Sequence, residues 1–199
     1  MNIFANPPKK IYCCGTYEPY WIKDDMGERS RNPKINRISR QLMDLKDENN
    51  RSNNTAVKDF SKLLSNRIKE LGFNMHTKTQ SGVAIIVVPS SQAGRVSPAL
   101  ERIASYAARQ HNLDFYTPPV LQRTKTIQKL HSGGDRSISV HLSSIVVDDT
   151  HLTDLRYKRI IIIDDVSTTG GSLRACSQLL ESAGIQSRHI ELVSLLMTA

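Results

Sequence analysis

Apolar residues downstream of residue 54 follow two different spacings. From Thr55 onward, one apolar residue recurs every three or four positions; the set is Val57, Phe60, Leu64, Ile68 and Leu71. This spacing predicts an amphipathic helix that is capped by Asn54 or Thr55 and ended by Gly72. A second helix is predicted from Pro98 to about His111, because Ser97 is a favourable N-cap and proline suits the first helical position.

Runs of consecutive β-branched residues indicate strands that are buried on both faces. The runs are VAIIVV, residues 83–88, and RIIII, residues 159–163. Each run is followed by a polar loop and then by a helix: loop 89–97 precedes the Pro98 helix, and loop 164–171 precedes a predicted helix over 172–183. Gly184 ends that helix, and residues 190–196 predict a further strand.

These elements predict an α/β fold over residues 55–199, with a mainly parallel central sheet flanked by helices. Residues 1–54 are irregular apart from a predicted strand over 11–17, and we expect them to form a small N-terminal hood. Short strands are predicted at 115–116 and 120–121, and residues 122–144 are expected to contain a mobile loop. Ligands bind beyond the carboxyl ends of the strands in such sheets, so loops 89–97 and 164–171 are the candidate site.

Composition narrows the class of protein. The 199 residues are 39% apolar and 23% charged, which is typical of a folded chain, and the net charge is +8 with the basic excess upstream of an acidic C-terminal segment. Such a charge balance suits nucleic acid or small phosphorylated ligands, or simply a solvated surface. No apolar run is long enough for a membrane-spanning helix and no secretory signal is visible, so the expected location is cytoplasmic. The thiols Cys13, Cys14 and Cys176 form no CxxC pair and predict neither a zinc site nor a disulfide framework.

The richest chemical pattern is IIIIDDVSTTGGSL, residues 160–173. Hydroxyl groups, two glycines and the N–H groups of a helix start all favour an anion, so this segment predicts a monophosphate cradle. Carboxylates just before the cradle would accept hydrogen bonds from sugar hydroxyls, and a ribose 5-phosphate fits both parts. The candidate cradle residues are Ser167, Thr168, Thr169, Gly170, Gly171 and Ser172, and the candidate carboxylates are Asp164 and Asp165.

Other motifs fit this segment less well. A P-loop requires a lysine after its last glycine, a dinucleotide fingerprint requires GxGxxG, and neither is present. Val166 stands where an aspartyl-phosphatase loop would carry a second acidic residue. Helix capping alone requires one hydroxyl or amide side chain and does not account for the whole run.

The segment DDVSTTGGS resembles the ribose-phosphate signature of type I phosphoribosyltransferases. LQRTKTIQKLHSGGDRSISV, residues 121–140, is similar to a segment of the ComF-type branch of that family, and VVPSSQAGR, residues 87–95, stands where the family has its diphosphate loop. More weakly, IYCCGTYEPY and ISRQLMDLKDE resemble the opening strand and a Leu-Lys stretch of the same branch. The cysteine-rich zinc ribbon with which many members of the branch begin is missing here.

The resemblance implies a type I phosphoribosyltransferase-like fold and a Mg²⁺-assisted displacement on 5-phosphoribosyl 1-diphosphate, with an unidentified nitrogen nucleophile replacing diphosphate. Asp164 and Asp165 would bind the ribose hydroxyls, and the cradle would bind the 5-phosphate. Backbone groups of Pro89, Ser90 and Ser91 would meet the diphosphate, and Mg²⁺ would bind through diphosphate and ribose oxygens rather than through a protein metal site. Arg123 and Lys125, in the expected mobile loop, would close over the leaving group as catalytic residues.

Two other functions stay open at this point. One is a regulatory protein that binds phosphoribosyl diphosphate or a nucleotide without turnover. The other is a DNA-associated accessory protein, which the basic N-terminal part and the ComF resemblance suggest. No membrane partner is expected, and the oligomeric state is open, with a dimer among the alternatives.

Overall fold

The computed structural model describes residues 8–73, 82–128 and 137–198. The strands are β1 (Ile11–Cys13), β2 (Thr16–Tyr17), β3 (Trp21–Lys23), β4 (Arg29–Arg31), β5 (Val83–Val87), β6 (Asp114–Phe115), β7 (Leu121–Arg123), β8 (Ile145–Val147), β9 (Arg159–Ser167) and β10 (Ile190–Thr198). The helices are α1 (Arg37–Lys46), α2 (Asn53–Glu70), α3 (Pro98–His111), α4 (Ile138–Leu142), α5 (Leu152–Leu155) and α6 (Gly171–Ser182).

The central sheet has the strand order β1-β10-β9-β5-β6, and β2 pairs with the far end of β10. Every strand pair of this sheet is parallel. The predicted α/β fold with a mainly parallel central sheet flanked by helices is therefore confirmed. None of the described helices is long and apolar enough to cross a membrane.

The isoleucine run of β9 is buried on both faces of the sheet, as its composition predicts. Ile161 and Ile163 join a core with α1, α2 and α3, whereas Ile160 and Ile162 join a second core with α6. Cys176 is fully buried in that second core. The sheet is thus a layer between two helical layers. The loops that follow β5 and β9 both leave the sheet at its carboxyl edge.

The first residues of α2 and α3 can be compared with the helix caps that the sequence predicts. Ser97 caps α3 as predicted, because its Oγ accepts a hydrogen bond from the backbone N–H of Leu100 at 3.3 Å. The prediction of Asn54 or Thr55 as the cap of α2 is wrong, since this helix begins at Asn53 after Ser52. The Asn53 amide donates to carbonyls at the end of α1, at Asp44, Leu45 and Asp47, and so ties the two helices together.

The N-terminal region shares the sheet and the core with the rest of the chain. β1 pairs with β10, and Leu42 and Leu45 of α1 are buried in the core that contains α2. The polar stretch after residue 23, where no element was predicted, contains the second strand of a β3–β4 hairpin. A structural boundary at residue 54 stays a prediction.

The segment expected to contain a mobile loop has regular structure at both of its ends. β7 pairs antiparallel with β8 in a separate two-stranded sheet, and α4 precedes β8. The basic residues Lys129 and Arg136 lie outside the described residues. The antiparallel pairing was not predicted, because three residues per strand carry no usable periodicity.

Candidate active site

The predicted phosphate cradle lies at the carboxyl edge of the sheet, where β9 leads into α6. Residues Val166 to Ser172, together with His141 of α4, line one small pocket. α6 begins one residue earlier than predicted, at Gly171, and β9 extends to Ser167, so the expected loop over 164–171 is shorter than the sequence suggested. The strand continues because its last residues still pair with β10.

Gly170 is the position of the cradle where glycine is required. Its φ of +75° lies in the left-handed region, which side chains rarely adopt. A Cβ added there would overlap Cδ1 of Ile11 and lie 2.8 Å from Nη1 of Arg174. The close approach of β1 to the cradle thus depends on this glycine.

Ser167 provides an unpaired polar group inside the cradle. The residue is 3% exposed, and its Oγ has no hydrogen-bond partner within the described ranges 8–73, 82–128 and 137–198. A buried hydroxyl without a partner is energetically costly in a folded protein, and an anionic ligand would provide the missing acceptor. The N–H groups at the start of α6 favour an anion at the same place.

Asp164 and Asp165 project to opposite faces of the sheet, because successive strand residues alternate. Asp164 Oδ2 accepts a hydrogen bond from Ser172 Oγ at 2.8 Å, on the α6 side. Asp165 Oδ2 lies 3.1 Å from Nζ of Lys46, on the α1 side. The two carboxylates therefore flank the end of β9.

The two carboxylates also differ electrostatically. Burial, and then the charge of Asp165, raise the pKa of Asp164 above the usual carboxyl range. For Lys46, burial alone would lower the pKa, but the charge and hydrogen bond of Asp165 outweigh it and the pKa is raised. Asp165 thus faces a firmly protonated lysine, whereas Asp164 holds a proton more readily than an ordinary aspartate.

The loop after β5 contains Pro89, Ser90 and Ser91 at the same sheet edge. The backbone N–H of Val88 donates to Ile163 O at 2.9 Å, so the ends of β5 and β9 lie side by side. Pro89 is buried, and Ser90 and Ser91 are half-buried. The structure therefore brings the predicted diphosphate loop next to the strand that carries the acidic pair.

Arg123 occupies a different environment from the one predicted. It lies at the end of β7, is 3% exposed, and donates from Nε to Ser90 O at 2.5 Å. The prediction that it sits in a mobile loop is wrong, because strand pairing and burial hold it beneath the Ser90 loop. Lys125, two residues further on, is exposed.

Lys46 and His141 are site residues that sequence reasoning missed. Lys46 is far upstream in the chain, and only packing of α1 beside β9 brings it to Asp165. His141 belongs to none of the motifs that the sequence offers, yet it lines the cradle pocket. The sequence offered no signal for its position beside the cradle, because that position depends on how α4 packs against α6.

The described residues contain no group of three or more His, Cys, Asp or Glu side chains that could hold a metal ion. The acidic pair is the nearest set of hard oxygen ligands in the site, and each carboxylate has a partner of its own, Ser172 for Asp164 and Lys46 for Asp165. These residues would fit Mg²⁺ if substrate oxygens supplied most of its ligands.

The fold and the site define a class of α/β proteins with a candidate phosphate site at the carboxyl edge of a parallel sheet. Comparison with known protein families identifies the phosphoribosyl transferase domain, whose family model matches residues 98–197, about half of the chain. The chain therefore belongs to this family. The match contains Arg123, the acidic pair and the cradle, and begins after the Pro89–Ser91 loop. No curated protein matches the chain.

Proposed function

We propose that this protein is a Mg²⁺-dependent phosphoribosyltransferase that uses 5-phosphoribosyl 1-diphosphate. Members of the family transfer phosphoribosyl groups, which supports the reaction class. The bond between C1 of the ribose and the diphosphate oxygen breaks, and diphosphate leaves with the electron pair. A nitrogen nucleophile, such as a nucleobase, forms the new bond to C1 and releases its proton to solvent.

The observation that carries this proposal is the buried Ser167 hydroxyl, which has no partner among the described residues and lies in a cradle that directly follows two carboxylates. The cradle would hold the 5-phosphate through Ser167, Thr168, Thr169 and the N–H groups of Gly171 and Ser172. Asp165, and Asp164 on the other face, would accept hydrogen bonds from ribose hydroxyls. Their negative charge would stabilise the positive charge that develops on the sugar as diphosphate departs.

The loop over Pro89, Ser90 and Ser91 would bind the diphosphate, because it lies beside the end of β9. Mg²⁺ would neutralise charge on diphosphate oxygens and would bind mainly through the substrate. Lys125 is exposed, and the next residue, Thr126, accepts a hydrogen bond from Ala93 N in this loop, so Lys125 is a candidate to pair with the leaving group. Arg123 is buried behind the loop and would act on the leaving group only through the loop.

Calorimetric titration with phosphoribosyl diphosphate, with and without Mg²⁺, tests the proposal together with an assay of diphosphate release over a panel of nucleobases. The variant Asp164→Asn with Asp165→Asn should lose release. A matched control is Asp148→Asn with Asp149→Asn, which changes a second adjacent acidic pair outside the cradle. Metal-dependent binding with release for one base supports the proposal.

Binding without release for any nucleophile would favour a sensor instead of an enzyme. The absence of binding to both phosphoribosyl diphosphate and ribose 5-phosphate would contradict the proposal. Equal activity of the Asp164/Asp165 variant and the control would show that the carboxylates do not contact the sugar. Salt-sensitive DNA binding by a chain that ignores both ligands would favour the nucleic-acid alternative.

A further inference from the structure

The side chain of Arg123 links the loop that contains Ser90 to the region around α4. Its guanidinium donates from Nε to Ser90 O at 2.5 Å and from Nη1 to Ser144 Oγ at 2.5 Å, and Nη2 lies 3.4 Å from Nδ1 of His141. The fixed fork of an arginine reaches these three acceptors at once, which the single ammonium of lysine cannot do. The three contacts join the diphosphate loop to α4 and to Ser144, which lies between α4 and β8.

His141 extends this connection to the other phosphate site. It is 6% exposed, contacts Arg123, and lines the cradle pocket together with residues 166–172. The α4 helix that carries it packs on α6, the helix that begins in the cradle. A chain of polar contacts therefore runs from the half-buried Ser90 through the buried Arg123 and His141 to the wall of the cradle.

Further hydrogen bonds join the segment around Arg123 to the loop over 90–94. Gly94 N donates to Arg123 O at 2.8 Å, and Ile127 N donates to Ser91 O at 2.9 Å. Ala93 N donates to Thr126 Oγ1 at 3.1 Å. The loop over 90–94 is thus held along its length by the segment that follows β7.

The charge of Arg123 adds to this geometry. No carboxylate lies within ion-pair distance of its guanidinium in the part of the chain that the structure describes, and its three side-chain partners are neutral oxygens and an imidazole. The charge of Asp164 offsets only part of the effect of burial, which still lowers the pKa of Arg123, so a bound anion would stabilise this buried cation further. Both neighbouring loops are predicted to bind phosphate groups.

We infer that Arg123 is a positioning residue that, with His141, sets the separation between the diphosphate loop and the 5-phosphate cradle. The inference rests on the proposed function, because it assigns one phosphate group of a single substrate to each loop. A ligand with both groups gains from a preset separation, whereas a ligand with one group does not. Arg123 therefore acts on selectivity for a substrate phosphorylated at both ends of the ribose.

Three probes separate positioning from simple binding: phosphoribosyl diphosphate, ribose 5-phosphate, and Mg²⁺ with inorganic diphosphate. Affinities are measured by calorimetry for the full chain and for Arg123→Lys, which keeps the charge but loses the fork. Ser144→Ala is the milder variant, because it removes one acceptor of Arg123 and leaves the guanidinium in place. Arg102→Lys is the matched control, since Arg102 joins α3 to Asn53 and Asn54 of α2, away from the loops.

Arg123→Lys should weaken phosphoribosyl diphosphate binding by about 10-fold to 100-fold, the range expected when a positioned group shifts, and should alter ribose 5-phosphate and diphosphate binding little. Ser144→Ala should change the affinities in the same direction and by less, whereas Arg102→Lys should lower only the thermal stability. If Arg123→Lys does not fold, the Ser144→Ala result alone decides the question.

Two results overturn the inference. One is an equal loss for all three probes, which indicates general disorder of the site, and the other is unchanged affinity for the two-phosphate ligand. If the unsubstituted protein binds none of the three probes, the proposed function fails instead, and the inference fails with it. The two failures are therefore distinguishable.

Discussion

Replacement of Gly170 by alanine tests the steric account of the cradle. Gly170 has a φ of +75°, and a Cβ there would overlap Ile11 Cδ1 and lie 2.8 Å from Arg174 Nη1. Arg174 Nη1 also donates to the carbonyl oxygen of Thr169, so the new methyl group would disturb a contact within the cradle. We therefore expect Gly170→Ala to lower both stability and phosphate affinity.

The size of the effect follows from two separate contributions. A left-handed backbone costs about 1–2 kcal/mol for a residue with a Cβ. Steric overlap in a packed site costs about 1–3 kcal/mol, and the lower half is expected here because both neighbouring atoms end side chains that can move. The total loss in the free energy of unfolding should be about 2–4 kcal/mol.

Gly72→Ala is a close control for the backbone contribution. Gly72 has a φ of +74°, and a Cβ there would meet no atom of the described residues within 4 Å. Its loss should be only the strain of about 1–2 kcal/mol. Urea unfolding followed by circular dichroism measures both variants, and titration with ribose 5-phosphate measures the cradle.

Equal losses of stability for the two variants would refute the steric reasoning. A second measurement addresses the same point: Ile11→Ala in the Gly170→Ala background should recover part of the loss, because it removes the overlapping group. Additive effects of the two substitutions would show that β1 does not contact the cradle as described.

Three further predictions follow from single contacts. Because the pKa of Asp164 is raised, the folded state binds a proton that the unfolded state releases, so the unfolding free energy should fall from about pH 4 towards neutral pH. Urea unfolding across this range should show a smaller fall for Asp164→Asn, and identical slopes would contradict the assignment. Lys46→Met should change the free energy of unfolding by less than about 1 kcal/mol, because Lys46 is half-exposed. The same substitution should weaken ribose 5-phosphate binding, because it removes the ion-pair partner of Asp165. Unchanged affinity in calorimetry would exclude that role. Ser97→Ala should lower the free energy of unfolding by about 1 kcal/mol, because the α3 cap is lost. Ser52→Ala should lower it clearly less, because Ser52 makes no side-chain cap bond to α2. Equal midpoints of the two variants in thermal unfolding would argue against this difference.

Local signals in the sequence were sufficient for the central elements of the fold. The β-branched runs predicted β5 and β9, and the residues around Ser97 and Pro98 predicted the start of α3, because burial and capping act over a few neighbouring positions. The TTGGS segment predicted the start of α6 within one residue. The acidic pair was also recognised from sequence, although its division between two faces of the sheet was not.

The weaker predictions depended on long-range packing. α1 was not predicted, and the cap of α2 was misplaced, because contacts of Asn53 with the end of α1 decide where these helices meet. Arg123 was expected in a mobile loop, since a basic polar segment has the same composition whether or not it is later buried. Its three acceptors come from separate parts of the chain, and no spacing in the sequence shows that they converge.

The sequence by itself determined the α/β class, the strand that carries Asp164 and Asp165, and the segment that we propose as the phosphate cradle, since each depends on residues that are neighbours in the chain. Only the tertiary structure placed Lys46 on Asp165, His141 beside the cradle and Arg123 beneath Ser90. These contacts join segments that are distant in sequence, and their geometry is set by how helices pack on the two faces of the sheet.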